Sequence, residues 1–126
     1  MKTLCNMYLD HQESRAEVGE IRLRQVYDQI LLLRDFVRFV GPNRIPSDVA
    51  TIDLQGYRRK LINSRKAPHT INNRIAAVKA MFNWALDNEI IETAPRLNAI
   101  KKVPRKKDEK PTFSTAQVRN LLIYAD

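Results

Sequence analysis

The sequence has 126 residues, the length of a single domain or of one domain and the start of another. It carries 22 basic and 14 acidic side chains, for a net charge of +8, which favours a polyanionic partner, although basic surfaces also occur for solubility alone. A single cysteine excludes an internal disulfide, and two histidines are too few for a zinc site, so we expect no cofactor. The longest aliphatic run is the four residues 30–33, which is far too short to span a membrane, so we expect no membrane contact.

The first two predicted elements are helices, as expected for a chain with three glycines and abundant Ala, Leu, Ile, Arg and Lys. The first covers residues 3–12, and the second covers residues 21–40, where Gly41 offers a cap and Pro42 blocks continuation. The apolar side of the first helix consists of Leu4, Met7 and Tyr8. The apolar stripe of the second consists of Val26, Ile30, Leu33, Val37 and Val40, widened by Tyr27 and Phe36.

Two further helices follow. The third is predicted at residues 51–63, and the fourth begins just after Pro68 and ends near Asn88. The third is expected to bury Ile52, Tyr57, Leu61 and Ile62. The face of the fourth repeats at steps of three and four and consists of Ile71, Ile75, Val78, Phe82 and Ala85, flanked by Met81, Trp84 and Leu86. Such a stripe is typical of a helix packed in a core.

The character of the chain changes after residue 100. Residues 101–110 contain six basic residues, two acidic ones and Val103 as the only aliphatic residue, so we expect an extended, mobile linker with nothing to bury. The pattern Ser114-x-x-Gln117 then predicts a new helix. We therefore expect a helical domain at 1–100, a basic interdomain linker at 101–113, and at 114–126 the first helix of a second domain that has been cut away.

No catalytic constellation is found in the sequence. His11 and His69 lie in different predicted elements, and neither has a Ser or Cys nucleophile with an acid at a suitable spacing. The glycines stand at least fifteen residues apart, so a Gly-rich phosphate loop is absent. Tyr124 lacks a neighbouring cluster of Arg and His. We expect that this chain by itself is not an enzyme.

The predicted start of the fourth helix has the features of a nucleic-acid contact. The first turn of a helix presents free N–H groups and a positive dipole end, which together suit a phosphate. Asparagine can grip adenine in two places from the major groove, and Lys and Arg suit guanine or phosphate. The alternative is that Asn72 and Asn73 only cap or solvate the helix. The candidate contact residues are Arg65, Lys66, His69, Thr70, Asn72, Asn73, Arg74 and Lys79.

A comparable set, Arg22, Arg24 and Gln25, opens the second helix, so the two helix starts are expected to contact one groove together. Pairing of Arg24 with Asp28 within the helix is an equal alternative. The linker adds five candidate contacts: Lys101, Lys102, Arg105, Lys106 and Lys107. If five or six such side chains each neutralise one phosphate, log K falls against log salt with a slope of about −5.

Several short motifs follow the helical pattern in a fixed order: Thr70-Ile71-Asn72-Asn73-Arg74, Phe82-Asn83-Trp84-Ala85, Ile90-Ile91, Pro95 and the helix start at Ser114 with Leu121-Leu122. In this order they resemble the N-terminal core-binding domain of tyrosine recombinases, the phage integrase family, over residues 4–122. The family often has Gly where this chain has Glu89 and Asn where it has Ala94, and we expect Asn88 to supply the left-handed cap instead.

The resemblance implies an all-α fold, a compact SAM-like bundle of four helices that packs on one side of duplex DNA. It also implies a catalytic domain of the same polypeptide on the other side, whose tyrosine attacks the scissile phosphodiester and forms a 3′-phosphotyrosyl link without metal. None of those catalytic residues maps onto this chain. The implied partners are double-stranded DNA, that catalytic domain and other recombinase protomers assembled on DNA.

The preferred hypothesis is therefore a DNA-binding fragment of an integrase or recombinase that contacts one half-site in DNA integration and recombination. Residues 1–9 lack a secretory signal, so we expect a cytoplasmic protein. The alternative is a stand-alone helical module for protein assembly, with a basic surface that serves acidic partners or solubility. RNA binding is a weaker third hypothesis, because Tyr57, Phe82 and Trp84 all lie on apolar faces.

Overall fold

The computed structural model describes residues 1–104; the linker from Arg105 onward and the predicted helix after Ser114 lie outside them. Within residues 1–104 the chain forms four α-helices and two single 3₁₀ turns, without a strand, so the expected all-α, four-helix fold is confirmed. No helix in this part of the chain is both long and apolar enough to cross a membrane. The elements are α1 (Lys2–Glu17), α2 (Leu23–Val40), a turn at Pro46–Asp48, α3 (Thr51–Asn63), α4 (Pro68–Asp87) and a turn at Leu97–Ala99.

The core lies where α2, α3 and α4 meet. Phe36 of α2 is fully buried, and its ring packs edge-on against Tyr57 of α3 and Phe82 of α4, with centroids 5.1 and 6.3 Å apart. Such edge-to-face pairs stabilise a core beyond the area that they bury. Trp84 closes the α1 side of α4, where it packs against Tyr8 and stacks on His11. The predicted face of α4 is buried as expected: Ile71, Ile75, Val78, Phe82 and Ala85.

Helix α1 is longer than predicted, since it continues to Glu17 rather than ending near Gln12. The additional residues are held by polar contacts. A prediction based on the spacing of apolar residues does not detect such contacts. Gln12 is only 3% exposed and donates from Nε2 to Oε1 of Gln29 over 3.0 Å, while Arg15 donates to Oε1 of Gln12 over 3.1 Å. Met7, which was expected beside Leu4 and Tyr8 on the buried side, is exposed.

Helices α2 and α3 show which predicted apolar residues are left uncovered. The bounds of α3 and the end of α2 at Gly41, with a φ of 106°, are confirmed. Ile52 is 75% exposed, and Ile62 and Tyr27 are exposed as well, so the prediction that they are buried is wrong. In α3 the buried face is set by Leu54, Tyr57 and Leu61, at steps of three and four, and Ile52 and Ile62 fall off that face.

Within residues 1–104, two residues other than glycine adopt left-handed backbone conformations, and each lies two residues past a helix end. Arg65 has a φ of 61° after α3, and Glu89 has a φ of 59° after α4. Asn88 was expected to supply the left-handed cap, but its φ is −100°, and its side chain instead donates to the carbonyl of Trp84. The prediction for Asn88 is therefore wrong by one residue: Glu89 occupies the strained position that the family often gives to glycine.

Candidate nucleic-acid interface

The start of α2 presents three polar side chains to solvent. Arg22, Arg24 and Gln25 are all exposed. Oε1 of Gln25 accepts a hydrogen bond from the backbone N–H of Arg22 over 2.9 Å, which closes the first turn and leaves the Gln25 amide Nε2 as a donor. Within residues 1–104 no ion pair joins Arg24 to Asp28, so the intrahelical alternative is not the arrangement seen.

The turn between α3 and α4 carries a second exposed cluster. Arg65, Lys66 and His69 are exposed, and Thr70 is half-buried. Helix α4 begins at Pro68, and no side chain of the described residues caps its N-terminus. The first-turn N–H groups and the positive end of the helix dipole are therefore available to an anion, with Arg65 and Lys66 beside them.

One groove between α2 and α4 brings the two helix starts together. Gln25 and Asn73 both line it, so a residue from the first turn of α2 and one from the second turn of α4 share a surface. Asn73 is exposed, and its Nδ2 lies 3.2 Å from Nε2 of His69, which connects the groove to the α3–α4 turn. The remaining lining residues are Asp28, Gln29 and Leu32 from α2 and Ala76, Ala77 and Ala80 from α4.

Asn72 faces a different neighbour from Asn73. Its Nδ2 donates to the carbonyl of Val103 over 3.0 Å, and its Oδ1 accepts from the N–H of Val103 over 2.7 Å. The amide thus grips two groups at once, as expected for asparagine, but both groups belong to a residue of the same chain. Asn72 cannot contact a base while it holds Val103.

Lys79 is also engaged with the C-terminal segment. Its Nζ donates to the carbonyl of Ile100 over 2.6 Å. Two α3 side chains that the sequence analysis missed act on the same segment: Gln55 donates to the carbonyl of Ala99 over 3.1 Å, and Arg58 donates to that of Lys101 over 2.9 Å. No local pattern signals these contacts, because the carbonyl partners lie more than 40 residues along the chain.

The start of the linker is therefore bound rather than mobile. Ile100 is 2% exposed, and Val103 is partly buried against the core, so the expectation that this stretch has nothing to bury is wrong at Val103. The side chains of Lys101 and Lys102 are exposed. The other predicted linker contacts, Arg105, Lys106 and Lys107, lie outside the described residues.

Arg74 is turned away from this surface. Its Nη1 lies 2.8 Å from Oδ2 of Asp35, and the hydroxyl of Tyr57 donates to the same oxygen over 2.9 Å. Burial, reinforced by the hydrogen bond to Asp35, raises the pKa of the Tyr57 phenol above its ordinary value. The Arg74 charge is thus used within the helical domain and is removed from the set of exposed contacts.

Among residues 1–104, no three His, Cys, Asp or Glu side chains lie close enough together to hold a metal ion. The arrangement provides exposed cations, a helix N-terminus and amide groups around one groove, and these can bind a charged polymer and read its hydrogen-bonding groups.

The comparison with protein families gives a match to a family described as phage integrase, N-terminal SAM-like domain, over residues 21–92. The match covers more than half of the chain. It runs from the residue before Arg22 to a few residues beyond the end of α4, and so includes both exposed helix starts. The comparisons with curated proteins and with solved structures gave no match.

Proposed function

The chain belongs to the phage integrase N-terminal SAM-like domain family, and from this we propose that it binds one side of a duplex half-site in a tyrosine recombinase. The observation that carries the proposal is the groove that Gln25 and Asn73 share. Because the groove reaches the first turn of α2 at Gln25 and the second turn of α4 at Asn73, the exposed cations near both helix starts can act on a single stretch of duplex. Had the two starts lain on opposite flanks, one duplex could not have reached both.

Charge is distributed around the groove in a way that suits DNA. Arg22 and Arg24 are exposed next to Gln25 at the start of α2, and Arg65 and Lys66 are exposed in the turn just before the uncapped N-terminus of α4. These groups would neutralise phosphates and fix the register of the domain on the duplex. Asp28 within the groove repels phosphate, which favours a base edge there instead.

The groove supplies the groups that could read sequence. The Gln25 amide and the Asn73 amide are of the types that pair with adenine, and the Asp28 carboxylate can accept from cytosine. We assign base contact to Asn73 rather than Asn72, because the amide of Asn72 is used by Val103. His69 and Thr70 complete the α4 side, and Lys101, Lys102, Arg105, Lys106 and Lys107 extend the phosphate contacts along the linker.

Strand breakage and rejoining would be carried out by a catalytic domain of the same polypeptide. The helical domain would contribute affinity and position, together with other protomers assembled on the same DNA. The competing hypothesis of a protein-assembly module makes a different prediction, because it requires no localised cation effect on duplex binding.

A paired charge-removal experiment tests the proposal. The variant Arg65→Gln with Lys66→Gln removes two charges from the proposed surface, and Arg34→Gln with Arg38→Gln removes two exposed charges from the side of α2 that faces α1. Fluorescence anisotropy with a labelled random-sequence duplex should show the first variant weakened and its salt slope reduced by about 2. The second variant should bind nearly as the parent chain does. Equal weakening in both would mean that net charge alone drives binding, and the proposed surface would be wrong.

A further inference from the structure

The C-terminal segment of the described chain is held by a set of side chains that contact its backbone. Gln55 and Arg58 of α3 donate to the carbonyls of Ala99 and Lys101, and Asn72 and Lys79 of α4 bind Val103 and the carbonyl of Ile100. We name these four side chains the clasp: Gln55, Arg58, Asn72 and Lys79. Because they bind main-chain groups, the clasp fixes where the backbone runs and leaves the side chains of Lys101 and Lys102 exposed.

The contacts also fix the direction of the segment. Ile100 lies at Lys79 and Val103 lies at Asn72, so the chain runs along α4 toward the N-terminus of that helix. Asn72 and Lys79 are seven positions apart, which is ~10 Å of helix, and the three positions from Ile100 to Val103 also span ~10 Å when extended. The match in length explains how an extended backbone can satisfy both positions without a bulge.

Helix α3 gives the same direction independently. Its contacts advance from Gln55 to Arg58 as the segment advances from Ala99 to Lys101, toward the end of α3. The end of α3 and the start of α4 meet at the turn that carries Arg65 and Lys66. The segment therefore points at the exposed cations of that turn.

We infer that the clasp is a positioning device that directs Lys101 and Lys102 toward the phosphate site at the start of α4. The inference rests on the proposed function and deepens it. Lys101 and Lys102 then act on the same run of phosphates as Arg65, Lys66 and the N-terminus of α4. Asn72 contributes to DNA binding without touching DNA, since it sets the path of a segment that does.

Two asparagines of α4 supply a matched pair of variants in the full chain. Asn72→Ala removes both hydrogen bonds to Val103, and Asn83→Ala changes an exposed amide of the same helix that belongs neither to the clasp nor to the proposed groove. Trypsin cleavage after Lys101 and Lys102, followed by mass spectrometry, should be about tenfold faster in Asn72→Ala, as expected when two hydrogen bonds are removed. Asn83→Ala should be cut at the parent rate. Equal rates in all three proteins would overturn the inference.

Binding to random-sequence duplex distinguishes a role in DNA binding from a role in stability alone, because a clasp that only stabilised the fold would not change the salt dependence of binding. The salt slope of Asn72→Ala should be reduced by about 2, because two lysines no longer reach their phosphates, while the slope of Asn83→Ala should not change. Faster cleavage with an unchanged slope and affinity would overturn the inference. If the parent chain itself bound no duplex, the proposed function would fail, which is a separate result.

Val103→Pro provides a second way to release the C-terminal segment from Asn72. It removes the N–H that donates to Asn72 while leaving every helix and every charge unchanged. It should reproduce the reduced slope and the faster cleavage after Lys101, with the far-UV circular dichroism of the parent chain. Cleavage after Lys102 is not scored in this variant, because trypsin does not cut a bond that proline follows. A Val103→Pro protein that matches the parent in both assays would contradict the clasp.

Discussion

Arg74 and Asp35 form an ion pair over 2.8 Å that joins α4 to α2, with side chains that are 20% and 29% exposed. Tyr57 adds α3 to the same pair, because its hydroxyl donates to the carboxylate oxygen that Arg74 contacts. A single carboxylate thus connects three helices, and Nε of Arg74 is buried without a partner among the described residues. The cost of removing the Arg74 guanidinium from water is therefore offset mainly by its ion pair with Asp35.

Removing that carboxylate should destabilise the helical domain. Asp35→Ala leaves the Arg74 charge and the Tyr57 hydroxyl without their acceptor, and we expect a loss of roughly 2–3 kcal/mol, less than for a fully buried pair because both side chains are partly exposed. Urea unfolding followed by the fluorescence of Trp84 measures the loss. Asp28→Ala, at an exposed carboxylate, should cost less than about 1 kcal/mol on the ordinary scale for surface sites. Similar losses for the two variants would contradict the role of the pair.

Glu89→Gly should stabilise the protein. A left-handed backbone costs a residue with a Cβ about 1–2 kcal/mol, and glycine avoids this cost at the φ of 59° found here. Thermal and urea unfolding should both show a gain of about 1 kcal/mol. Asn88→Gly is the control, since Asn88 has a φ of −100° and should gain nothing. A loss of stability in Glu89→Gly would show that the position is not strained.

The linker cations should account for a measurable share of the salt dependence. Replacing Arg105, Lys106 and Lys107 by Gln should reduce the magnitude of the parent slope by about 3, because each phosphate contact adds roughly 0.9 to it. Filter binding or anisotropy between about 50 and 200 mM salt measures both slopes. A parent slope near zero would end the case for phosphate binding.

Asn73→Ala should separate base reading from phosphate binding. On a duplex selected from a random pool for tight binding, the variant should lose about 1–3 kcal/mol, the value of one bidentate base contact. On random-sequence duplex it should lose less, because the phosphate contacts are intact. Equal losses on the two duplexes would make Asn73 a positioning residue without a role in sequence recognition.

The thiol of Cys5 should react slowly in the folded protein. Burial raises its pKa, which the charge of the chain's N-terminus only partly offsets, so less thiolate is present near neutral pH. Because the folded pKa lies above the unfolded one, the associated stabilisation is present below the ordinary thiol pKa and is lost as the pH rises through the raised value. Rates with a thiol-specific reagent at about pH 8, close to the ordinary thiol pKa, should be lower without urea than with it. Equal rates would show that the thiol is accessible in the folded state.

The sequence by itself determined the helices and their inward faces. The stripe from Ile71 to Ala85 and the end of α2 at Gly41 follow from local periodicity and backbone preference, which depend on residues a few positions apart. The excess of basic residues and the family resemblance were also readable from the chain alone. At Tyr27 and Ile52 the apolar residue type predicted burial, but no neighbouring element packs over these side chains, and both are exposed.

Only the tertiary structure decided what the polar side chains do. Asn72, Arg74 and Lys79 all lie in one helix and look alike as DNA contacts in the sequence, yet their partners lie 31, 39 and 21 residues away in the chain. A polar side chain takes whichever donor or acceptor the packing brings to it, and no local pattern encodes that neighbour. Periodicity therefore separates buried from exposed faces, while the division of the exposed face into clasp, ion pair and open groove depends on which elements pack beside it.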